Sequence, residues 1–124
     1  MKIIVEEILE LDDIIRYVEI IDKKENTLWS KVREGRVDLL NPAEEEIFAM
    51  DLEKIQRIRD GYDAKLGKTT FTLVIRGKVC ILAYYVDKLI ISVTCEPTLN
   101  FLKIYEISNN ILRIIKKANL LLQH

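Results

Sequence analysis

Apolar side chains recur at helical spacing in several segments of the chain. Residues 3 to 12 place aliphatic side chains among glutamates, which predicts a short amphipathic helix. Residues 41 to 66 predict a longer helix, because Asn41 is a favoured N-cap, a proline follows at the first helical position, and Glu44 can complete a capping box. Gly67 is expected to end this middle helix.

A third helix is predicted at the end of the chain. It should begin near Thr98 or Leu99, after Pro97 closes the preceding strand, and continue to about Leu122. Its apolar stripe comprises Ile104, Ile107, Ile111, Ile114, Ile115 and Ala118.

The stripe that the middle helix is predicted to bury comprises Ile47, Phe48, Leu52, Ile55, Ile58, Tyr62 and Leu66. The side chains of the middle helix that should mostly face water are Glu45, Glu46, Glu53, Lys54, Arg57 and Lys65.

Five runs rich in β-branched and aromatic residues predict strands. The first extends from Ile14 to Ile21, and after a polar turn over residues 22 to 26 a second one continues to Val32. The other three follow one another between residues 69 and 96.

Two short turns fix the pairing of the last three strands. With turns at Gly77-Lys78 and Asp87-Lys88, one face of this meander is entirely apolar, and a slip of one residue in either turn would mix the faces. The predicted pairs are Ile75 with Cys80, Leu73 with Leu82, Phe71 with Tyr84, Val86 with Leu89, Tyr84 with Ile91, Leu82 with Val93, and Cys80 with Cys95. The opposite face is half apolar and should be partly covered.

The element order αββαβββα indicates an α+β fold. A five-stranded antiparallel sheet with helices on both faces accounts for one wholly apolar and one half-apolar sheet face. The chain of 124 residues fits a single domain, 1 to 124, and its 49% of hydrophobic residues can fill one core.

The charge balance excludes two common kinds of partner. The 19 basic and 20 acidic residues leave a net charge of −1, which gives no general attraction to nucleic acid or to an anionic membrane.

No apolar run approaches the roughly 20 residues of a membrane-spanning helix. The acidic N-terminus does not fit a signal peptide, so we expect a cytoplasmic protein.

Few side chains are suited to catalysis, to a metal or to a cofactor, and we predict none of the three. The only histidine, His124, is the last residue, where a general base would be poorly held. Cys80 and Cys95 are predicted to be facing, buried free thiols, the alternatives being a disulfide or a metal pair. The carboxylates at 12 to 13 and 44 to 46 should cap helices and face water.

Three further side chains allow two interpretations each. Trp29 is either a core residue or an exposed contact anchor. Arg57 and Arg59 either belong to an ordinary solvated helix face or contact a nucleotide that a partner protein holds.

The element order, the turn Asp22-Lys23-Lys24-Glu25-Asn26 and the run Leu66-Gly67-Lys68 before three strands together resemble the Roadblock/dynein light chain family, most closely its small archaeal relatives. The resemblance extends over nearly the whole chain, with Asn26 at a position where that family usually has glycine. It implies a profilin-like sandwich that homodimerises through its middle helix and the edge strand of the meander. It also implies a platform for small GTPases or their regulators.

The edge strand supplies a physical reason for the homodimer. Residues 69 to 76 carry few charges, and an open strand edge of this kind favours pairing with another chain. The predicted interface residues are Phe48, Leu52, Ile55, Thr70, Thr72 and Val74.

The sequence leaves two other functions open besides this interaction module. A small-molecule-sensing domain of the profilin or PAS type would need a cavity of roughly a few hundred Å³ with polar groups inside. An enzyme would need carboxylates, or Tyr62, Tyr84 and Tyr85, to converge in one cleft.

Overall fold

The computed structural model of the protein describes residues 2–22 and 27–122. Residues 23 to 26 of the predicted first turn and His124 lie outside the described residues. The elements are α1 (Lys2–Leu9), β1 (Ile15–Asp22), β2 (Thr27–Val32), α2 (Pro42–Asp60), α3 (Asp63–Leu66), β3 (Phe71–Ile75), β4 (Cys80–Val86), β5 (Leu89–Cys95) and α4 (Phe101–Leu122). The predicted α+β class is confirmed, with the short helix α3 as an additional element.

The five strands form one antiparallel sheet in the order β2-β1-β5-β4-β3. Every pair predicted for the meander is present, including Cys80 opposite Cys95. In the first turn the Arg76 amide donates to the Val79 carbonyl at 2.8 Å. In the second turn Asp87 has a φ of 51°, a left-handed conformation that aspartate tolerates better than most residues.

The main core lies between the inner face of the sheet and the helices α1 and α4. The predicted α4 stripe is confirmed, since Ile104, Ile107, Ile111 and Ile115 are buried and Ile114 and Ala118 partly so. Tyr84 links sheet and helix, because its buried hydroxyl lies 3.2 Å from Ser108 Oγ. Its ring stacks on Phe71 with the centroids 5.5 Å apart.

The outer face carries a smaller cluster beneath α2, formed by Ile21, Ala49, Ala83 and Ile90. The predicted partial cover of this face is therefore confirmed. The predicted orientation of α2 is wrong, however: Ala49, Glu53 and Gln56 are its buried residues. Of the predicted stripe, Phe48 and Leu52 are half-buried and the other five side chains are exposed, namely Ile47, Ile55, Ile58, Tyr62 and Leu66.

The orientation of α2 follows from the surface beneath it. Ala49 packs in the apolar cluster on the sheet, and the polar Glu53 and Gln56 find side-chain partners one turn along the helix. Periodicity in the sequence identifies the apolar side of a helix but not the surface that will cover it. The prediction that Glu53 faces water is wrong for the same reason.

The first helix ends at Leu9 and not near residue 12, because the guanidinium of Arg33 satisfies carbonyl groups at this point. It donates to the carbonyl oxygens of Leu9, of Asp12 at 2.9 Å and of Ile15 at 2.6 Å. Arg33 follows β2, so this one side chain ties the end of α1 to the first hairpin.

The predicted capping box of α2 is present, with the Glu44 amide 2.8 Å from Asn41 Oδ1. The helix ends at Asp60 and not near Leu66, since Gly61 weakens the last turn and the chain starts a new one at α3. The last helix begins two to three residues later than predicted, because Asn100 is a better N-cap and accepts from the Lys103 amide at 3.1 Å.

Candidate functional site

An apolar row of side chains runs along the solvent side of α2. We define the α2 ridge as Ile47, Ile55, Ile58 and Tyr62, whose exposed fractions range from 45 to 71%. The last three follow one another at helical spacing and are therefore neighbours on the surface. Single exposed apolar residues are ordinary, whereas a row of them is typical of surfaces that contact another molecule.

The opposite side of α2 is polar and buried. Glu53 is 6% exposed, and Arg57 holds its carboxylate through two contacts, one of them from Nε to Oε1 at 3.3 Å. Gln56 is also buried and donates to Asp60 Oδ1 at 2.8 Å. The helix thus buries Glu53 and Gln56 beside Ala49 and leaves the apolar α2 ridge in water.

Strand β3 is an open edge beside the surface that α2 covers. Thr72 pairs with Ala83, which belongs to the cluster under α2, and Val74 pairs with Ile81. The strand contains no charged residue. In the described part of the chain its second side has no strand neighbour, so its backbone groups can pair with another strand.

The six residues predicted for an interface lie on these two adjoining surfaces. Ile55, Thr70 and Val74 are exposed. Phe48, Leu52 and Thr72 are half-buried. Their participation in an interface stays a prediction.

A cavity of about 440 Å³ lies on the outer face, between the start of α2, the loop before it and the β3–β4 turn. Small-molecule sites in proteins have volumes of roughly 300 to 1,000 Å³. The apolar part of its wall includes Leu39, Leu40, Phe48, Val79 and Ile81. Phe48 therefore belongs both to the cavity wall and to the predicted interface.

The buried carboxyl of Glu19 is the deepest polar group of this cavity. Glu19 is 4% exposed, and its Oε2 accepts a hydrogen bond of 3.2 Å from the Tyr17 hydroxyl. Burial raises the pKa of Glu19 to about 7, while the Tyr17 hydrogen bond lowers that pKa and the charge of Glu45 raises it further. Across the strand pair from Glu19, the buried Ser92 Oγ has no hydrogen-bond partner among the described residues.

Two more carboxylates, Asp38 and Glu45, line the same cavity. Burial and then the charge of Asp38 raise the pKa of Glu45. The nearby Arg16 is bound elsewhere, to Glu96 at 2.9 Å and to the Val37 carbonyl at 3.0 Å. The remaining cations are those of Arg76 and Lys78, which are exposed on the β3–β4 turn.

No protein-family model and no curated protein sequence matches the chain. Among solved structures, a Roadblock/LC7 domain from Streptomyces avermitilis is similar over 100% of this chain and 98% of its own, with a TM-score of 0.74 and 6% identity. The chain has the Roadblock/LC7 fold. The predicted resemblance is thereby confirmed at the level of the fold, while its archaeal part stays a prediction.

Two structures of MglB are also similar to this chain. The gliding protein MglB from Thermus thermophilus is similar with a TM-score of 0.66 and 15% identity, over 92% of this chain and 87% of that one. An MglB structure with a tetrameric arrangement is similar with a TM-score of 0.65 and 16% identity, over 93% and 87% of the two chains.

Four further side chains with reactive groups, Cys80, Cys95, Tyr84 and Tyr85, lie on β4 and β5. Cys80 and Cys95 are buried free thiols, as predicted. Burial, with a smaller effect of Cys80, raises the pKa of Cys95 to about 12, which disfavours the nucleophilic thiolate. Tyr84 and Tyr85 are consecutive on β4 and therefore point to opposite faces of the sheet, so the tyrosines do not converge.

Residues 2–22 and 27–122, which the structure describes, contain neither a metal site nor a membrane-spanning helix. No group of three or more His, Cys, Asp or Glu side chains there is arranged to hold a metal ion. No helix in those ranges combines the length and apolar character needed to cross a bilayer. Of the acidic runs, Glu44 completes the α2 cap as predicted, whereas Asp12 caps no helix: it lies between α1 and β1 and accepts from the Ile14 amide at 2.9 Å.

Trp29, Arg57 and Arg59, for which the sequence allowed two interpretations each, are all exposed. Trp29 lies on the edge strand β2 and is 45% exposed, which favours the contact-anchor interpretation. Arg57 pairs with Glu53 of its own helix, and Arg59 is exposed.

Sequence analysis missed two features. The first is the pair Tyr17 and Glu19, for which the alternation of β1 was an available signal, because it places both side chains on one sheet face. The second is an apolar surface on the first turns of α4, formed by Phe101, Leu102 and Tyr105, which are 62 to 67% exposed.

Proposed function

We propose that this protein is a non-catalytic, homodimeric interaction module that serves as a platform for, or a regulator of, a small GTPase. One observation carries the proposal: α2 buries Glu53 and Gln56 and turns the α2 ridge outward, beside the open edge of β3. A helix that exposes its apolar side next to an unpaired, uncharged strand is suited to contact a second copy of the same surface.

The pairing would use both elements of this surface at once. Two β3 strands can align across a two-fold axis and extend the sheet from one copy into the next, since each offers an open row of backbone groups. The α2 ridges would then pack against each other and remove Ile55, Ile58 and Tyr62 from water. The existence of an MglB structure with a tetrameric arrangement supports self-association on this fold.

The small GTPase is proposed as a partner because the chain resembles the Roadblock/dynein light chain family. We assign a scaffold role and no residue that stimulates GTP hydrolysis. Arg57 is bound to Glu53, which supports the interpretation that it serves the helix and not a nucleotide. The free thiols Cys80 and Cys95 are compatible with the reducing cytoplasm, where we place the protein.

Binding to small GTPases of the same organism tests this function directly. Each GTPase would be purified, loaded with GDP or with a non-hydrolysable GTP analogue, and titrated against the immobilised intact chain. We expect at least one of them to bind, with an affinity that differs between the two nucleotide states. If none binds in either state, the GTPase part of the proposal is wrong.

A second candidate function, a small-molecule-sensing domain of the profilin or PAS type, is favoured by the cavity beside Glu19. Its volume and its polar interior are those that such a domain requires.

A further inference from the structure

Two buried glutamates of this fold differ in how their charge is balanced. Glu53 is paired with the Arg57 guanidinium. Glu19 is buried at least as deeply, but within the described part of the chain its carboxylate has only the Tyr17 hydroxyl as a hydrogen-bond donor and no ion pair with Lys or Arg. A buried carboxylate of this kind is costly unless a cation reaches it.

The cavity provides the route by which a cation can reach Glu19. Glu19 lines a space of about 440 Å³ together with Asp38 and Glu45, and apolar side chains such as Leu40 and Ile81 form other parts of the wall. A site with apolar walls and a few placed polar groups is typical of small-molecule recognition.

We propose that the cavity beside Glu19 binds a small molecule that carries a protonated amine on an apolar body. The ammonium group would donate charge-assisted hydrogen bonds to the Glu19 carboxylate, and Glu45 and Asp38 would add to its attraction. The body would occupy the apolar space between α2 and the β3–β4 turn. Arg76 and Lys78 on that turn favour a ligand whose far end is neutral or anionic.

The charges that surround Glu19 set the pH dependence of this binding. The titratable groups that line the same cavity are Tyr17, Asp38 and Glu45, and the permanent cations are Arg16, Arg76 and Lys78. Because the pKa of Glu19 is about 7, Glu19 is mostly protonated at pH 6 and mostly ionised at pH 8. The ammonium binds the ionised form, so its affinity should rise with pH over this interval.

Nuclear magnetic resonance titrations of the intact chain test the proposal. The probes are butylamine, cyclohexylmethylamine and 2-phenylethylamine, each compared with the alcohol of the same carbon skeleton. At pH 8 we expect at least one amine to bind about tenfold or more tightly than its alcohol, with shift changes in residues that line the cavity. At pH 6 its affinity should be lower by about tenfold, as the proton on Glu19 competes.

Two variants separate Glu19 from the other carboxylates. Glu19→Gln should lose the preference for the amine, whereas Glu7→Gln, which changes an exposed glutamate on α1, should behave like the intact chain. The proposal is wrong if no amine binds more tightly than its alcohol, if the shifts map elsewhere, or if Glu19→Gln binds as the intact chain does. Should Glu19→Gln fail to fold, the pH dependence of the intact chain decides.

This inference rests on the second candidate function and not on self-pairing. Glu19→Gln should leave the solution mass unchanged. Solution mass therefore tests self-pairing and amine binding tests the site beside Glu19, so measuring both on the same samples shows which of the two proposals fails. If the amines fail, a lysine side chain of a partner protein becomes the alternative cation, and the small-molecule site is rejected.

Discussion

On α2, Glu53 is 6% exposed whereas Ile58, five positions further along, is 71% exposed. A helix that packed only on its own sheet would be expected to bury the isoleucine, because each buried aliphatic side chain contributes roughly 1.5 to 3 kcal/mol. The reverse arrangement is tolerated since Arg57 neutralises Glu53. It leaves the α2 ridge exposed, at the surface where we propose that a second copy of the chain binds.

Changing Ile58 to lysine should weaken self-pairing without unfolding the chain. The ammonium group would be buried between two copies, so the dissociation constant measured by sedimentation equilibrium should rise at least about tenfold, or ~1.4 kcal/mol. The free energy of unfolding of the single chain should change by less than about 0.5 kcal/mol, because Ile58 is exposed there.

The matched control for this change is Ile3→Lys. Ile3 is 68% exposed on α1, away from the α2 ridge, so the same chemical change there should leave the dissociation constant as it was. Equal effects of the two substitutions would show that the ridge has no special role in pairing.

The stability of the fold should depend on the protonation of Glu19. The pKa of Glu19 is about 7 in the folded chain, whereas its ordinary value is 4.5. A raised carboxyl pKa means that the folded state holds the proton of Glu19 more tightly than the unfolded state does. The contribution of this proton to the free energy of unfolding is complete below pH 4.5 and is lost as the pH rises through about 7.

Glu19→Gln removes this titration and should therefore be more stable than the intact chain at pH 8. The upper limit of the gain is roughly 3 kcal/mol, and it should disappear near pH 4.5. Urea unfolding at pH 4.5, 6 and 8 measures the difference. A difference that stays constant with pH would contradict the raised pKa of Glu19.

Loss of the Arg33 side chain should destabilise the link between α1 and the first hairpin. Its guanidinium donates to three carbonyl groups, and hydrogen bonds from charged groups contribute about 1.5 to 3 kcal/mol. We expect Arg33→Met to lower the free energy of unfolding by ~2 to 3 kcal/mol in urea titrations. Arg113→Met, at an exposed position on α4, should change it by less than about 0.5 kcal/mol.

Removing the Tyr84 hydroxyl should leave Ser108 without its partner between the sheet and α4. Tyr84→Phe is expected to cost ~1 kcal/mol in unfolding free energy, whereas Tyr105→Phe, at an exposed position on the same helix as Ser108, should cost almost nothing. Differential scanning calorimetry of both variants measures this. A Tyr84→Phe variant as stable as the Tyr105→Phe variant would contradict a role for the hydrogen bond.

Much of the sheet could be predicted from the sequence, because its strands are joined by tight turns. With Gly77-Lys78 and Asp87-Lys88 as turns, the alternation of apolar residues leaves a single register, and the observed pairs from Phe71 to Cys95 follow it. The burial of the α4 stripe was also predicted correctly, since its isoleucines pack on the wholly apolar face of the sheet that the register defines.

The orientation of α2 and the cavity could not be predicted in this way. An apolar stripe indicates burial without saying whether the covering surface is the sheet or a second chain, so the periodicity does not reveal that Ile55 and Ile58 are exposed in the single chain. The environment of Glu19 depends on the loop that leads into α2, whose path over the sheet has no periodic signal in the sequence. The helix boundary at Leu9 likewise depends on Arg33, a distant residue.

The solution mass of the intact chain decides whether two copies pair through the α2 ridge and β3. Light scattering across a dilution series would be recorded for the intact chain and for a variant with Thr72→Lys and Val74→Lys. We predict twice the chain mass of 14.5 kDa for the intact chain and a folded species of 14.5 kDa for the variant. An intact chain of 14.5 kDa at every concentration would rule out this pairing.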